Sequence, residues 1–160
     1  MITQILEWLQ QELNNLLPSE PALVKLANVP SYVIEGEKRI APNQLILSLA
    51  GFSGTQNAGK KTTGFKMGEN NPDENEGKLE LKVVFLADFD DLNYIQGLEK
   101  LEQVFLHLQK DGPWDAVTDK AKIKLEIKND SGTRADISMM MRGATGKFLP
   151  AISYTLKVAG

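Results

Sequence analysis

The stretch Leu79-Glu-Leu-Lys-Val-Val-Phe-Leu-Ala87 decides the fold. Leu79, Leu81, Val83 and Phe85 alternate onto one face, the two-residue period of a β-strand. Val84 and Leu86 make the far half apolar on both sides, so the strand is expected to lie centrally with both faces covered there. Asp90 and Asp91 follow where a helix N-cap belongs. Leu92 to Lys110 then reads as a helix, with Leu98, Leu101, Phe105 and Leu108 as its buried stripe, joined by Tyr94 and Ile95. Asp111-Gly-Pro stops it.

Upstream, Ile2, Ile5, Leu6, Leu9, Leu13, Leu16 and Leu17 recur at steps of three and four. Residues 2–17 therefore read as an amphipathic helix with Glu7, Gln10, Gln11, Glu12 and Asn14 facing water, ended by Pro18. Ala22 to Val29 reads as a short strand closed by Pro30. Gln44 to Ala50 is a clearer strand, with Leu45, Leu47 and Leu49 on one face. Residues 51–78 hold six glycines and four lysines, with only Phe52, Phe65 and Met67 as large apolar residues. They read as a long flexible loop or hairpin arm, a length usually functional or disordered.

Downstream, Lys122 to Lys128 alternates, with Ile123, Leu125 and Ile127 inward and lysines and Glu126 outward. Asn129 to Gly132 reads as a turn. Arg134 to Arg142 reads as a short helix around Ile137, Met140 and Met141, ended by Gly143 and Gly146. Ile152, Tyr154, Leu156 and Val158 alternate in a final strand. The order predicts one α/β (α+β) domain over residues 1–160, a mixed, mainly antiparallel sheet with helices packed on it.

Composition narrows the chemistry. With 160 residues, 42% apolar and 24% charged, the chain has the profile of an ordinary soluble domain. The formal net charge of −3 supplies no basic field for nucleic acid. The absence of cysteine excludes disulfides, thiolate metal sites and cysteine nucleophiles. One histidine, His107, leaves little room for a triad or a multi-histidine metal site. The N-terminus has no basic n-region, and no apolar run approaches the ~20 residues that span a bilayer, so neither a secretory signal nor membrane insertion is expected.

Gly54-Thr-Gln-Asn-Ala-Gly59-Lys60 satisfies the spacing of a phosphate-binding loop, and Val83 to Asp88 imitates an apolar strand ending in a magnesium-binding aspartate. Lys61 stands where Ser or Thr should hold magnesium, and no helical stripe follows to supply amide donors. A nucleotide site at Gly54, Gly59, Lys60 and Asp88 is therefore the weaker alternative. Asp73, Glu74 and Glu76 lack the calcium-loop pattern. His107 reads as structural, and Met139 to Met141 as core or an adaptable contact surface. Lys120, Lys122, Lys124 and Lys128 make a basic strand face, more simply solvated or edge-protecting than docked on an acidic neighbour. No catalytic residue, metal site or cofactor is expected, and the chain reads as a binding or assembly domain.

The order of segments resembles the N-terminal domain shared by cap, or tail-terminator, proteins of extracellular contractile injection systems of the anti-feeding-prophage and Photorhabdus-virulence-cassette type. The resemblance rests on Ile2 to Asn14, Val24-Lys-Leu-Ala-Asn-Val29, Asn43-Gln-Leu-Ile-Leu-Ser-Leu49, Leu79 to Phe89 leading into Tyr94 to Val104, and Phe148-Leu-Pro-Ala-Ile-Ser-Tyr-Thr-Leu-Lys-Val158. Ala151 stands where the family usually has Ser. The resemblance implies a non-enzymatic ring, a hexamer, that ends the inner tube and fastens the last sheath layer. It implies partners that are further copies of the chain and the tube and sheath proteins, with assembly in the cytoplasm into a particle that is released or membrane-anchored. Lys60, Lys61, Phe65, Lys66 and Met67 on the arm, and Lys122, Lys124 and Lys157 on strands, are the interface candidates.

Overall fold

The computed structural model describes residues 1–27, 33–36, 38–54, 79–110, 112–130 and 149–159. The readings at 28–29, at 55–78, at Asp111 and at 131–148 lie outside the described residues. In chain order the elements are α1 (Ile2–Leu16), β1 (Val24–Leu26), β2 (Val33–Glu35), β3 (Lys38–Ile40), β4 (Gln44–Gly54) and β5 (Leu79–Asp88). A 3-10 turn (Asp91–Asn93) then leads into α2 (Tyr94–Leu108), followed by β6 (Trp114–Val117), β7 (Lys122–Asn129) and β8 (Ala151–Ala159). Six strands form one sheet in the order β1-β4-β5-β8-β7-β6, and β2 and β3 form a separate antiparallel pair. Only β1 runs parallel to its neighbour.

β5 is central, and its residues from Val83 to Asp88 are all buried. Register explains the double burial. Leu81, Val83, Phe85 and Ala87 face the main core together with Leu45 and Leu47 of β4 and Tyr154 and Leu156 of β8. Val84 and Leu86 face the other side, in a smaller cluster with Ile46. Both helices lie on the main-core side: α1 through Ile5, Leu6, Leu9 and Leu13, α2 through Leu101, Val104 and Leu108. Each fully buried leucine there contributes roughly 2 kcal/mol relative to exposure, so packing rather than helix propensity holds the helices.

The sheet curls, because α1 touches both edge strands, β1 and β6. At β6, Trp8 meets Trp114 edge-on, with ring centroids 6.3 Å apart. At β1, the Asn14 side-chain amide donates to the Val24 carbonyl at 3.1 Å and accepts the Val24 N–H at 2.8 Å, while Gln10 also donates to that carbonyl at 3.1 Å. Leu45 N–H bonds Leu23 and Ala27 N–H bonds Leu47, so Lys25 faces β4 and Val24 points its polar groups outward. Asn14 therefore occupies the place of a missing neighbouring strand.

Several expectations need correction. Gln10 and Asn14 are not simply solvated, since they seal the β1 edge; Leu16 is exposed and Leu17 buried. The first strand is described at Val24–Leu26, starting two residues later than expected, and the last two residues of the expected span, 28–29, lie outside the described residues. β4 continues past Ala50 to Gly54 after a bulge between Leu49 and Gly51, carried by its ladder to β5 despite two glycines. On α2, Tyr94 and Ile95 are exposed and Val104 completes the stripe. Stepping back from Leu101 by threes rotates about 60° per step, which carries Ile95 off the buried face. β6 was not expected, because four residues give only two turns of alternation.

Candidate functional site

Two exposed surfaces lie on opposite sides of the domain. The first is the face of the sheet turned away from the helices. Because Ile123, Leu125 and Ile127 point into the core, Lys122, Lys124, Glu126 and Lys128 must point outward. Register places their neighbours. Glu126 sits opposite Lys157, which sits opposite Glu80, and the Lys157 ammonium is 3.7 Å from the Glu80 carboxylate. Lys124 sits opposite Asp115, whose carboxylate lies 3.7 Å from Lys122. In the next row Lys128, Thr155 and Lys82 stand side by side with no carboxylate among them. Acids flank the row: Glu80 and Glu126 precede Lys82 and Lys128 by two residues on the same face, and Asp130 accepts from the Thr155 hydroxyl at 3.4 Å. This face is therefore compensated within two rows, and the two lysines of the third are flanked by acids.

The second surface is the outward side of α2. Ile95, Glu99, Glu102 and Leu106 are spaced four, three and four apart, so they form one stripe opposite the buried one. Ile95 is 63% and Leu106 59% exposed, and Leu92, one turn earlier, is 95% exposed. The stripe is apolar at its ends and acidic in its middle.

Asp90 caps the 3-10 turn Asp91–Asn93 rather than α2 itself, whose N-cap, Asn93, makes no side-chain cap bond. The Asp90 carboxylate accepts from the Asn93 N–H at 2.9 Å, and its second oxygen accepts from the Asn43 amide at 3.0 Å. The Asn43 side-chain carbonyl in turn accepts from the Asp90 N–H at 2.8 Å, with Asn43 in a left-handed backbone at φ of 56°. The Asn43 amide holds the Asp90 carboxyl below its ordinary value; burial opposes it as the next largest effect, and the Asn93 donors and the Leu92 N–H add to the lowering. Gly97 lets the helix approach Phe89, where an added Cβ would lie 2.6 Å from a ring carbon.

His107 has structural partners. Its Nε2 is 3.3 Å from Glu12 of α1, and its ring is 5.3 Å from that of Trp114. The Lys110 ammonium lies 4.7 Å from the same indole. No group of three His, Asp or Glu side chains among the described residues is placed to hold a metal ion. No helix among the described residues is long and apolar enough to cross a membrane.

Of the nucleotide-site alternative, Gly59 and Lys60 lie outside the described residues. Gly54 pairs with Leu79 and Asp88 with Gln44, which puts them at opposite ends of one ladder, roughly 30 Å apart. β4 and β5 are also antiparallel, whereas that site needs parallel strands ending together. Of the interface candidates, Lys60, Lys61, Phe65, Lys66 and Met67 lie outside the described residues, while Lys122, Lys124 and Lys157 share the outer sheet face. Sequence reasoning missed Lys82, whose place in that face needs register, and the α2 stripe, which the spacing of Ile95, Glu99, Glu102 and Leu106 already carried. Compared with known proteins, the chain matches no family model and no curated sequence.

Proposed function

We propose that this chain is a structural cap, the tail terminator of a phage-tail-like contractile injection system, ending the inner tube and fastening the last sheath layer. The observation that carries the reading is the pair of opposed surfaces: an apolar and acidic α2 stripe on one side, a lysine-bearing sheet face on the other. Complementary patches on opposite sides of one domain make head-to-tail contacts, which close into a ring when the rotation per subunit allows it. The segment resemblance supplies the ring's place at the tube end and its size, a hexamer assembled in the cytoplasm. The work is done by shape and many weak contacts, without catalysis, cofactor or nucleic acid.

Electron microscopy of particles from a host lacking this gene tests the role. Overlong, uncapped or prematurely contracted tubes are expected; particles of normal length with intact ends would refute it. Charge reversal tests the ring contact separately. Glu99→Lys with Glu102→Lys is expected to abolish rings of the purified chain, and mixing with a Lys122→Glu, Lys124→Glu chain to restore contact between unlike copies.

A further inference from the structure

The two sheet edges are finished differently. At β1, the outward N–H and C=O of Val24 are both bonded by α1 side chains. On the other side, β6 covers β7 only from Lys122 to Leu125. Pro113 has no N–H to extend the ladder, and Gly112, with φ of 94°, turns the chain away. β7 runs on to Asn129, and Asp130 N–H donates to the Ser153 carbonyl at 2.9 Å. That bond sets the parity of the ladder. Asp130, Lys128 and Glu126 bond β8, so Ile127 and Asn129 turn their N–H and C=O outward. No described residue bonds those backbone groups.

Beside this edge, under the last turn of α2, lies a cleft of about 500 Å³ lined by Phe105, Leu108, Ile127 and Tyr154 and also by Lys110 and Glu126. Tyr154 lies on β8, flanked by β5 and β7, so its side chain, not its backbone, reaches the cleft. Its hydroxyl is buried, with the Asn129 side chain as the polar group acting on it but not in hydrogen-bond geometry. Burial pushes that hydroxyl up to about 12, against a smaller opposing effect of Asn129.

We propose that this cleft is a strand-addition site, in which a short extended segment of a partner polypeptide pairs with Ile127 and Asn129. Such a segment alternates apolar and polar residues. Its apolar side chains enter the cleft against Phe105 and Leu108. Its acidic side chain opposite Lys128 emerges on the outer face, where Lys128 stands between Glu126 and Asp130, so a single carboxylate at that position is what the edge selects. Lys128 is in no ion pair with a described residue. Backbone bonds supply affinity and the alternating side chains specificity. The site does not depend on the cap reading.

The test uses the full chain, isotopically labelled, with blocked synthetic peptides of about six residues alternating valine with glutamate or with lysine. With the glutamate peptide, amide exchange at Ile127 and Asn129 should slow by about tenfold or more, while Glu126 and Lys128 stay unchanged. Lys128→Glu should invert the preference between the two peptides. A glutamate peptide with prolines at its bonding positions should have no effect, since it cannot donate. No slowing at saturating peptide overturns the site, as does slowing without the two-residue alternation. Slowing that appears with protein concentration alone, together with a dimer in sedimentation, overturns the partner segment and makes a second copy the occupant.

Discussion

Replacing Asn14 by alanine probes the sealed edge directly. Two hydrogen bonds are lost, but their consequences differ. The Val24 carbonyl keeps Gln10, whereas the Val24 N–H, on a residue only 1% exposed, keeps nothing. One orphaned buried donor costs about 1–3 kcal/mol. Against this, alanine favours a helix over asparagine by up to about 0.7 kcal/mol. The net expected loss is about 0.3–3 kcal/mol. Gln10→Ala should cost less, about 0.5–1.5 kcal/mol, because Asn14 still serves the carbonyl. The double variant should lose more than the sum, since the carbonyl is then orphaned as well. Urea unfolding followed by far-ultraviolet circular dichroism measures all three, given matching slopes. An Asn14→Ala chain as stable as the parent, or a strictly additive double variant, would refute the reasoning.

Other sites give sharper directions than magnitudes. Gly97→Ala should destabilise by about 1–3 kcal/mol in thermal or urea unfolding, because Phe89 must move, and Phe89→Ala should relieve part of that difference in the double variant. Asp90 has a depressed folded pKa, so its contribution is present above its unfolded value of 3.8 and lost as pH falls through the folded value. Asp90→Asn should accordingly flatten the acid side of the stability profile and lower the melting temperature at pH 7. Tyr154 is the reverse case: one of the three tyrosines should ionise near pH 12 in an absorbance titration, and the stability it contributes should fall as pH rises from 10 towards that value. Trp114→Phe should cost under about 1.5 kcal/mol and Trp114→Ala about 3–5 kcal/mol, because the buried indole N–H has no partner among the described residues to lose.

What the sequence disclosed follows from where the information is stored. β5 was readable because its alternation is local, and its two-sided burial was readable from Val84 and Leu86. Lys122 and Lys124 could be put on an outer face because Ile123 and Leu125 define the inner one. The Asp90 cap was visible because capping chemistry acts over three residues. Asn14 was not, because its role depends on β1 arriving ten residues later with Val24 turned outward. Gly51 to Gly54 resemble a loop, and only the partner strand makes them a strand. The row of Lys128, Thr155 and Lys82 joins three strands, so it exists only once register is known. The Tyr154 hydroxyl and the cleft were hidden for the same reason, since α2, β7 and β8 each supply a wall.

The contrast between the edges bears on how such a domain can take part in an assembly. A free strand edge recruits any compatible strand, including that of another copy, so folded proteins cover, charge or shorten it. Here α1 covers the β1 edge with two side-chain amides, whereas at β6 it makes a ring contact, Trp8 against Trp114, and among the described residues bonds no backbone group of that strand. β7 outruns β6 by the few residues beyond Leu125, and there, among the described residues, outward backbone groups meet a cleft lined by Phe105, Leu108 and Tyr154 together with Lys110 and Glu126. An edge left open for so short a length is too small to drive sheet-to-sheet stacking, yet long enough to select a segment by its side chains. Contacts between copies would then fall to the α2 stripe and the lysine face, which share no residue with the backbone groups of that edge. Charge reversals at Glu99 and Glu102 should therefore disrupt self-association while leaving exchange protection at Ile127 and Asn129 intact. Loss of both together would mean that one surface serves both purposes.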